Sequence, residues 1–173
     1  MEERKKQILK CVQEKMKEWE IESLYRVGKE ENLPMDILTI LMNEFGNDLQ
    51  DVLGEFFFLP KTEGRTEDAL CFQCVLTLQE DLPEEMLPQF YEVVASLNYI
   101  TEAGGFAISR SGRMLAYRNC LTLPLETADA TVVELIMANI THSINVGEKF
   151  AGVFAAIRSG RISMDEFREL FPA

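Results

Sequence analysis

An α+β fold follows from three features of the sequence. Gly54 to Leu78 reads as two long antiparallel strands flanking a polar loop, Gly-Glu-Phe-Phe-Phe-Leu-Pro and then Ala-Leu-Cys-Phe-Gln-Cys-Val-Leu-Thr-Leu. An amphipathic stretch at 84–98 separates this pair from a second alternating pair that opens at Gly104-Gly105. A third stretch, Val133 to Phe154, keeps an apolar stripe at helical spacing. Strands followed by helices, in the order α-βββ-α-ββ-α, predict an antiparallel sheet of about five strands, a three-strand meander plus a hairpin, with helices packed around it. The 173 residues suffice for a single domain spanning 1–173. Its expected parts are an N-terminal amphipathic helix in 1–34, a sheet core with one inserted helix in 36–125, and C-terminal helices in 127–173.

Each element has its own signature. Ile8, Val12, Met16 and Trp19, with Leu9 beside them, make one helical face, so residues 3 to about 27 read as a helix that Gly28 and Pro34 end. Met35 to Asn43 fits either a helix or a strand buried on both sides. The turn-like Phe-Gly-Asn-Asp after it favours a strand. Leu49 to Leu59 is the next strand, closed by Pro60, which has no N–H for a continuing ladder. After a polar loop at 61–68, the third strand alternates cleanly. Leu70, Phe72, Cys74, Leu76 and Leu78 share one face; Cys71, Gln73, Val75, Thr77 and Gln79 share the other.

Asp81-Leu-Pro-Glu84 has a capping-box outline. The helix after it buries Leu87, Phe90, Val94 and Leu97, and Pro88 implies that its first turn is separate. Ser111-Gly112 predicts a two-residue turn in the later hairpin. Thr127 is the expected N-cap of the long helix. Its stripe is Val133, Ile136, Ile140, Ile144, Gly147, Ala151 and Phe154, with Gly147 marking a kink or a close approach. Ser163-Met-Asp-Glu166 is a capping box for a last short helix carrying Phe167, Leu170 and Phe171.

The formal net charge is −12. Lys61 and Arg65 are the only basic residues between Glu30 and Glu102. Such a body repels phosphate backbones and anionic headgroups, which argues against nucleic acid or a membrane surface as partner. No run of about 18 apolar residues and no signal-peptide pattern is present, and four cysteines do not make a disulfide framework. A cytoplasmic protein with reduced thiols is the expectation.

Motifs for chemistry fail on geometry. Cys71-Phe-Gln-Cys74 has redox or zinc spacing, but residues i and i+3 of a strand point to opposite faces. His142, the only histidine, lacks a nucleophile motif or convergent ligands. The carboxylates Glu84, Glu85, Asp165 and Glu166 sit at helix starts, where the dipole favours them. Gly160 to Glu166 resembles the exit of a calcium loop, yet that alignment puts Ala155 and Ile157 where oxygen ligands are needed. No catalytic residue, metal ligand or cofactor-binding residue is assigned, so the expectation is a non-enzymatic protein without a cofactor.

Phe56-Phe57-Phe58 puts large rings on both faces of one strand, and both must be covered, by helices of this chain or by another molecule. Phe56 and Phe58, with Val75 on the sheet and Tyr91 on the 84–98 helix, are therefore the candidate partner-binding residues.

The element order, the Gly-Glu-Phe-Phe-Phe-Leu-Pro strand and the run Leu97-Asn98-Tyr…Gly105-Phe106-Ala-Ile…Ala116-Tyr117-Arg118 resemble the YbjN-type family over about Asp36 to Phe154. Its fold is similar to that of type III secretion chaperones. The resemblance implies a non-enzymatic, often dimeric sensory-transduction regulator, with no catalytic residues to carry over. The expected function is a protein-binding regulator or chaperone-like adaptor, acting as a homodimer on a protein or peptide partner. The alternative is a small-molecule sensor or unrecognised enzyme with a helix–sheet pocket near Tyr117, Arg118 and His142.

Overall fold

The computed structural model describes residues 1–46, 50–60, 69–109, 111 and 113–172. The expected loop at 61–68 lies outside the described residues, as does Gly112 of the expected hairpin turn. The elements are α1 (Glu2–Glu18), β1 (Leu24–Arg26), a one-turn α2 (Gly28–Glu31), β2 (Ile37–Phe45), β3 (Gln50–Phe58), β4 (Ala69–Gln79), α3 (Leu87–Ile100), β5 (Gly105–Ser109), β6 (Met114–Pro124), α4 (Asp129–Arg158) and α5 (Met164–Leu170). The α+β class holds, with six strands in one sheet of order β1-β2-β3-β4-β6-β5.

The additional strand is β1, antiparallel to β2 with Leu24 opposite Thr39. It lies in the stretch that apolar periodicity assigned to the first helix. α1 ends nine residues early because Glu20 takes a left-handed conformation, φ +61°. The Ile21 N–H then donates to Met16 O (2.9 Å) and the Glu20 N–H to Lys17 O (3.0 Å), which closes the helix as a Schellman turn. The face predicted for α1 is otherwise buried at Ile8, Leu9, Val12 and Met16, whereas Trp19, at the C-cap, is 55% exposed. Relaxing the left-handed strain with Glu20→Gly is expected to stabilise the protein by about 0.5–1 kcal/mol, read as a higher urea midpoint at unchanged m-value.

β2 is a strand, and Ile37 to Ile40 are buried in succession, as expected for one covered on both faces. The capping box expected at Asp81–Glu84 does not form. Glu84–Met86 is instead a separate 3₁₀ turn with Pro83 before it and no side-chain cap. Pro88 falls in the first turn of α3, where a missing N–H costs nothing. The capping box of α5 does form: Ser163 Oγ accepts from the Glu166 N–H, and the Ser163 N–H donates to Glu166 Oε2 (2.8 Å).

The chain divides into two compact units, one of residues 1–41, 53–75 and 119–142, the other of 42–52, 76–118 and 143–173. In the first unit, Ile8, Leu9, Val12, Leu38, Ile40, Phe56, Phe58, Leu70, Phe72, Cys74 and Ile136 form the core. Phe58 meets Phe72 edge-on at 5.4 Å between ring centroids. Gly54 leaves the space that the Phe56 ring and Ile40 occupy, since a Cβ there would sit 2.9 Å from each. Arg4 of α1 reaches the start of α4, donating to the Asp129 carboxylate (2.8 Å), to Thr127 O (2.6 Å) and to Leu125 O.

The second unit is built on aromatic rings. Phe106 of β5 touches Tyr117 (5.3 Å), Phe150 (5.6 Å) and Phe154 (5.2 Å), and Phe154 stacks on Phe90 at 6.0 Å. Gly147 marks a close approach: a Cβ there would lie 2.9 Å from Leu76 Cδ1. α5 rests on Phe167, fully buried, while Leu170, expected to pack, is exposed. Arg168 ties α5 to Glu92 of α3 through two bonds of 2.6 and 3.0 Å.

Candidate functional site

The four residues expected to bind a partner separate. Phe56 and Phe58 point inward and are core, at 0% and 3% exposure. Strand alternation decides this: β3 buries Val52, Gly54, Phe56 and Phe58 and turns Asp51, Leu53, Glu55 and Phe57 outward. The chain's own helices cover the inner face, so the partner-binding assignment of Phe56 and Phe58 is corrected to a structural one. Val75 is half-buried on the outward face of β4. Tyr91, in the second unit, is exposed on α3.

What the first unit leaves open is the outer face of its strands. Leu41 is 61% exposed and Leu53 36%. Phe57, Cys71 and Val75 are half-buried. Ile40 and Gly54 are in contact on the inner face. Leu41 and Leu53, each next in sequence to an inward residue of adjacent strands, therefore turn to the outer one. Arg26, Asp51 and Glu55 are charged groups of this outward side, and Arg26 is already paired with Glu31 at 2.6 Å. Sequence reading singled out Val75 here but missed Leu41 and Leu53; their alternation with buried Ile40 and Val52 was the available signal.

Both sheet edges are blunted. β1 is three residues long. On the β5 edge, Asn98 of α3 occupies both polar groups of Phe106: its Oδ1 accepts from the Phe106 N–H (2.7 Å) and its Nδ2 donates to Phe106 O (3.0 Å). An edge capped in this way cannot recruit another strand at that residue. The Tyr117 hydroxyl donates to Ala103 O (2.5 Å), and Gly104, at φ +71°, leaves room for that hydroxyl. The run Leu97-Asn98, Gly105-Phe106 and Tyr117 is thus an interlocked structural cluster, and Tyr117 is fully buried in it.

The chemical candidates stay apart. Cys71 lies outward, 3.9 Å from Thr122 Oγ1. Cys74 is buried inward, its thiol donating to Asn139 Oδ1 at 3.0 Å. All four cysteines are free thiols. Among the described residues no group of three or more His, Cys, Asp or Glu side chains converges as a metal site. His142 Nε2 is buried without a hydrogen-bond partner among the described residues. Gly160, φ +72°, closes α4, so Ala155 and Ile157 are helical and offer no calcium loop. Among the described residues no helix is long and apolar enough to cross a membrane.

One polar network is well ordered. Asp36 Oδ2 accepts from the Tyr25 hydroxyl (2.6 Å), Oδ1 accepts from the Gly28 N–H (2.8 Å), and Lys6 Nζ lies 3.9 Å away. Burial works to raise the Asp36 carboxyl, but these bonds and the charges of Lys6 and Lys10 outweigh it and hold the group below its ordinary value. Burial, then the bond to Asp36, pushes the Tyr25 phenol upward. A depressed folded pKa contributes stability above the unfolded value and loses it as pH falls through the folded one. The stability gap between wild type and Asp36→Asn is therefore expected to be full at neutral pH and to narrow below about pH 4, measured by urea melts across that range.

No protein-family model matches the chain, and no curated protein matches it in sequence.

Proposed function

We propose that this chain is a non-enzymatic, protein-binding regulator or adaptor that works as a homodimer, with the outer sheet face of the first unit as its contact surface. The observation that carries this reading is the exposure of two leucines, Leu41 and Leu53, on the sheet face that also carries half-buried Phe57 and Val75. Apolar surface of this kind is seldom left to water on a monomer. Two bodies of charge −12 repel each other, so a contact between copies forms best where the surface carries least charge. The blunted edges favour packing of face on face, at about 10 Å between sheets, over strand addition. The resemblance to YbjN-type and secretion-chaperone folds points the same way. In the second unit, Tyr91 and Tyr99 on α3 offer an exposed aromatic side for a protein or peptide partner. Light scattering of the purified chain tests the reading: a dimer mass supports it, and a monomer at every concentration removes it.

A further inference from the structure

The inner side of the first unit carries a second feature, independent of the outer face. A cleft of about 210 Å³ opens between the first turns of α1 and residues 28–36. Its apolar wall is Leu9, Leu33, Pro34, Met35 and Phe58, and Lys5, Lys6 and Lys29 stand on its rim. Three lysines around one cleft are unusual for a chain whose net charge is −12. The two carboxylates of the rim are already engaged. Glu2 pairs with Lys5 at 2.8 Å, and Asp36 holds Tyr25, Gly28 and Lys6. Lys29 is exposed and makes no ion pair among the described residues. The wall is preordered, because Asp36 fixes the segment at one end and the Leu33 N–H donates to Gly28 O (2.8 Å) at the other.

From these we infer that the cleft is a binding site for a small carboxylate with an apolar body. The apolar part lies against Leu9, Met35 and Phe58, and the carboxylate faces Lys29 and Lys6. A cavity of about 150 Å³ accepts benzene, so this volume suits a body of roughly six to nine heavy atoms. The same chemistry is offered by a free short-chain acid and by the C-terminal residue of a peptide with an apolar side chain.

Amide chemical-shift mapping on the full chain separates the outcomes. Hexanoate is expected to give saturable shifts confined to the first turns of α1 and to residues 28–36. Hexan-1-ol, with the same chain and no charge, is expected to bind at least about threefold more weakly. Lys29→Gln should weaken hexanoate about two- to fivefold while leaving the melting temperature and hexan-1-ol binding unchanged, because Lys29 is exposed. An acetylated tripeptide ending in leucine, with a free or an amidated terminus, identifies the source. If the free acid form binds more tightly than hexanoate, the ligand is a chain terminus; if more weakly, a small acid. Equal binding of hexanoate and hexan-1-ol, indifference to Lys29→Gln, or shifts centred elsewhere would each overturn the assignment.

Discussion

Phe58→Asp is expected to unfold the protein and not merely to weaken an interface. Phe58 is 3% exposed and meets Phe72 edge-on. Truncating a buried phenylalanine costs about 3–5 kcal/mol. A carboxylate buried against the Phe72 ring adds several more, because burial strips its water. The sum reaches the whole stability of a typical domain, about 5–15 kcal/mol. Phe58→Leu keeps most of the volume and is expected to cost only about 1 kcal/mol. Thermal melts followed by circular dichroism distinguish them: no cooperative transition for the aspartate and a modestly lowered one for the leucine. A folded Phe58→Asp with unchanged melting temperature would contradict the burial of this side chain.

The second large effect is expected from adding one methyl group. In Gly28→Ala the new Cβ would lie 2.5 Å from Met35 O and 2.6 Å from Met35 C, both backbone atoms. A flexible side chain could swing aside, whereas here the chain itself must part. Separation breaks the bond from the Gly28 N–H to Asp36 and the one from the Leu33 N–H to Gly28 O, each 2.8 Å. One of the two is charge-assisted, so the loss is about 3 kcal/mol. A urea midpoint lowered by that amount, together with loss of the Asp36 pH dependence, is the expected result. A cost below about 0.5 kcal/mol would mean that the segment is not held as described.

The contrast between two helix ends shows what the sequence made legible. α1 and α4 close with the same hydrogen-bond pattern: Ile21 to Met16 and Glu20 to Lys17 in one, Arg161 to Ala156 and Gly160 to Ile157 in the other. Gly160 announces its left-handed turn, because glycine adopts it freely. Glu20 does not, since glutamate seldom adopts that conformation and nothing in its side chain signals it, so apolar periodicity extends the helix over β1. The strands of β3 and β4 were legible because alternation has a period of two and both strands are long. The same alternation struck out the Cys71–Cys74 pair. The inner-face role of Phe56 and Phe58 was not legible, since three consecutive rings say that both faces need cover and not which body supplies it. The cleft at α1 was hidden for another reason. Its lysines and its apolar wall come from segments that only the fold brings together.

Dimerisation through the outer face of the first unit is the proposal on which the functional reading depends. The most direct measurement is light scattering on the wild type and on Leu41→Lys/Leu53→Lys, at matched concentration and with melting temperatures recorded. Both leucines are at least 36% exposed, so the exchange should leave the fold intact. Twice the 19.7 kDa chain mass is expected for the wild type and a single chain mass for the double variant, at closely similar melting temperatures. A double variant that remains dimeric, or a wild type that is monomeric throughout, would contradict the proposal.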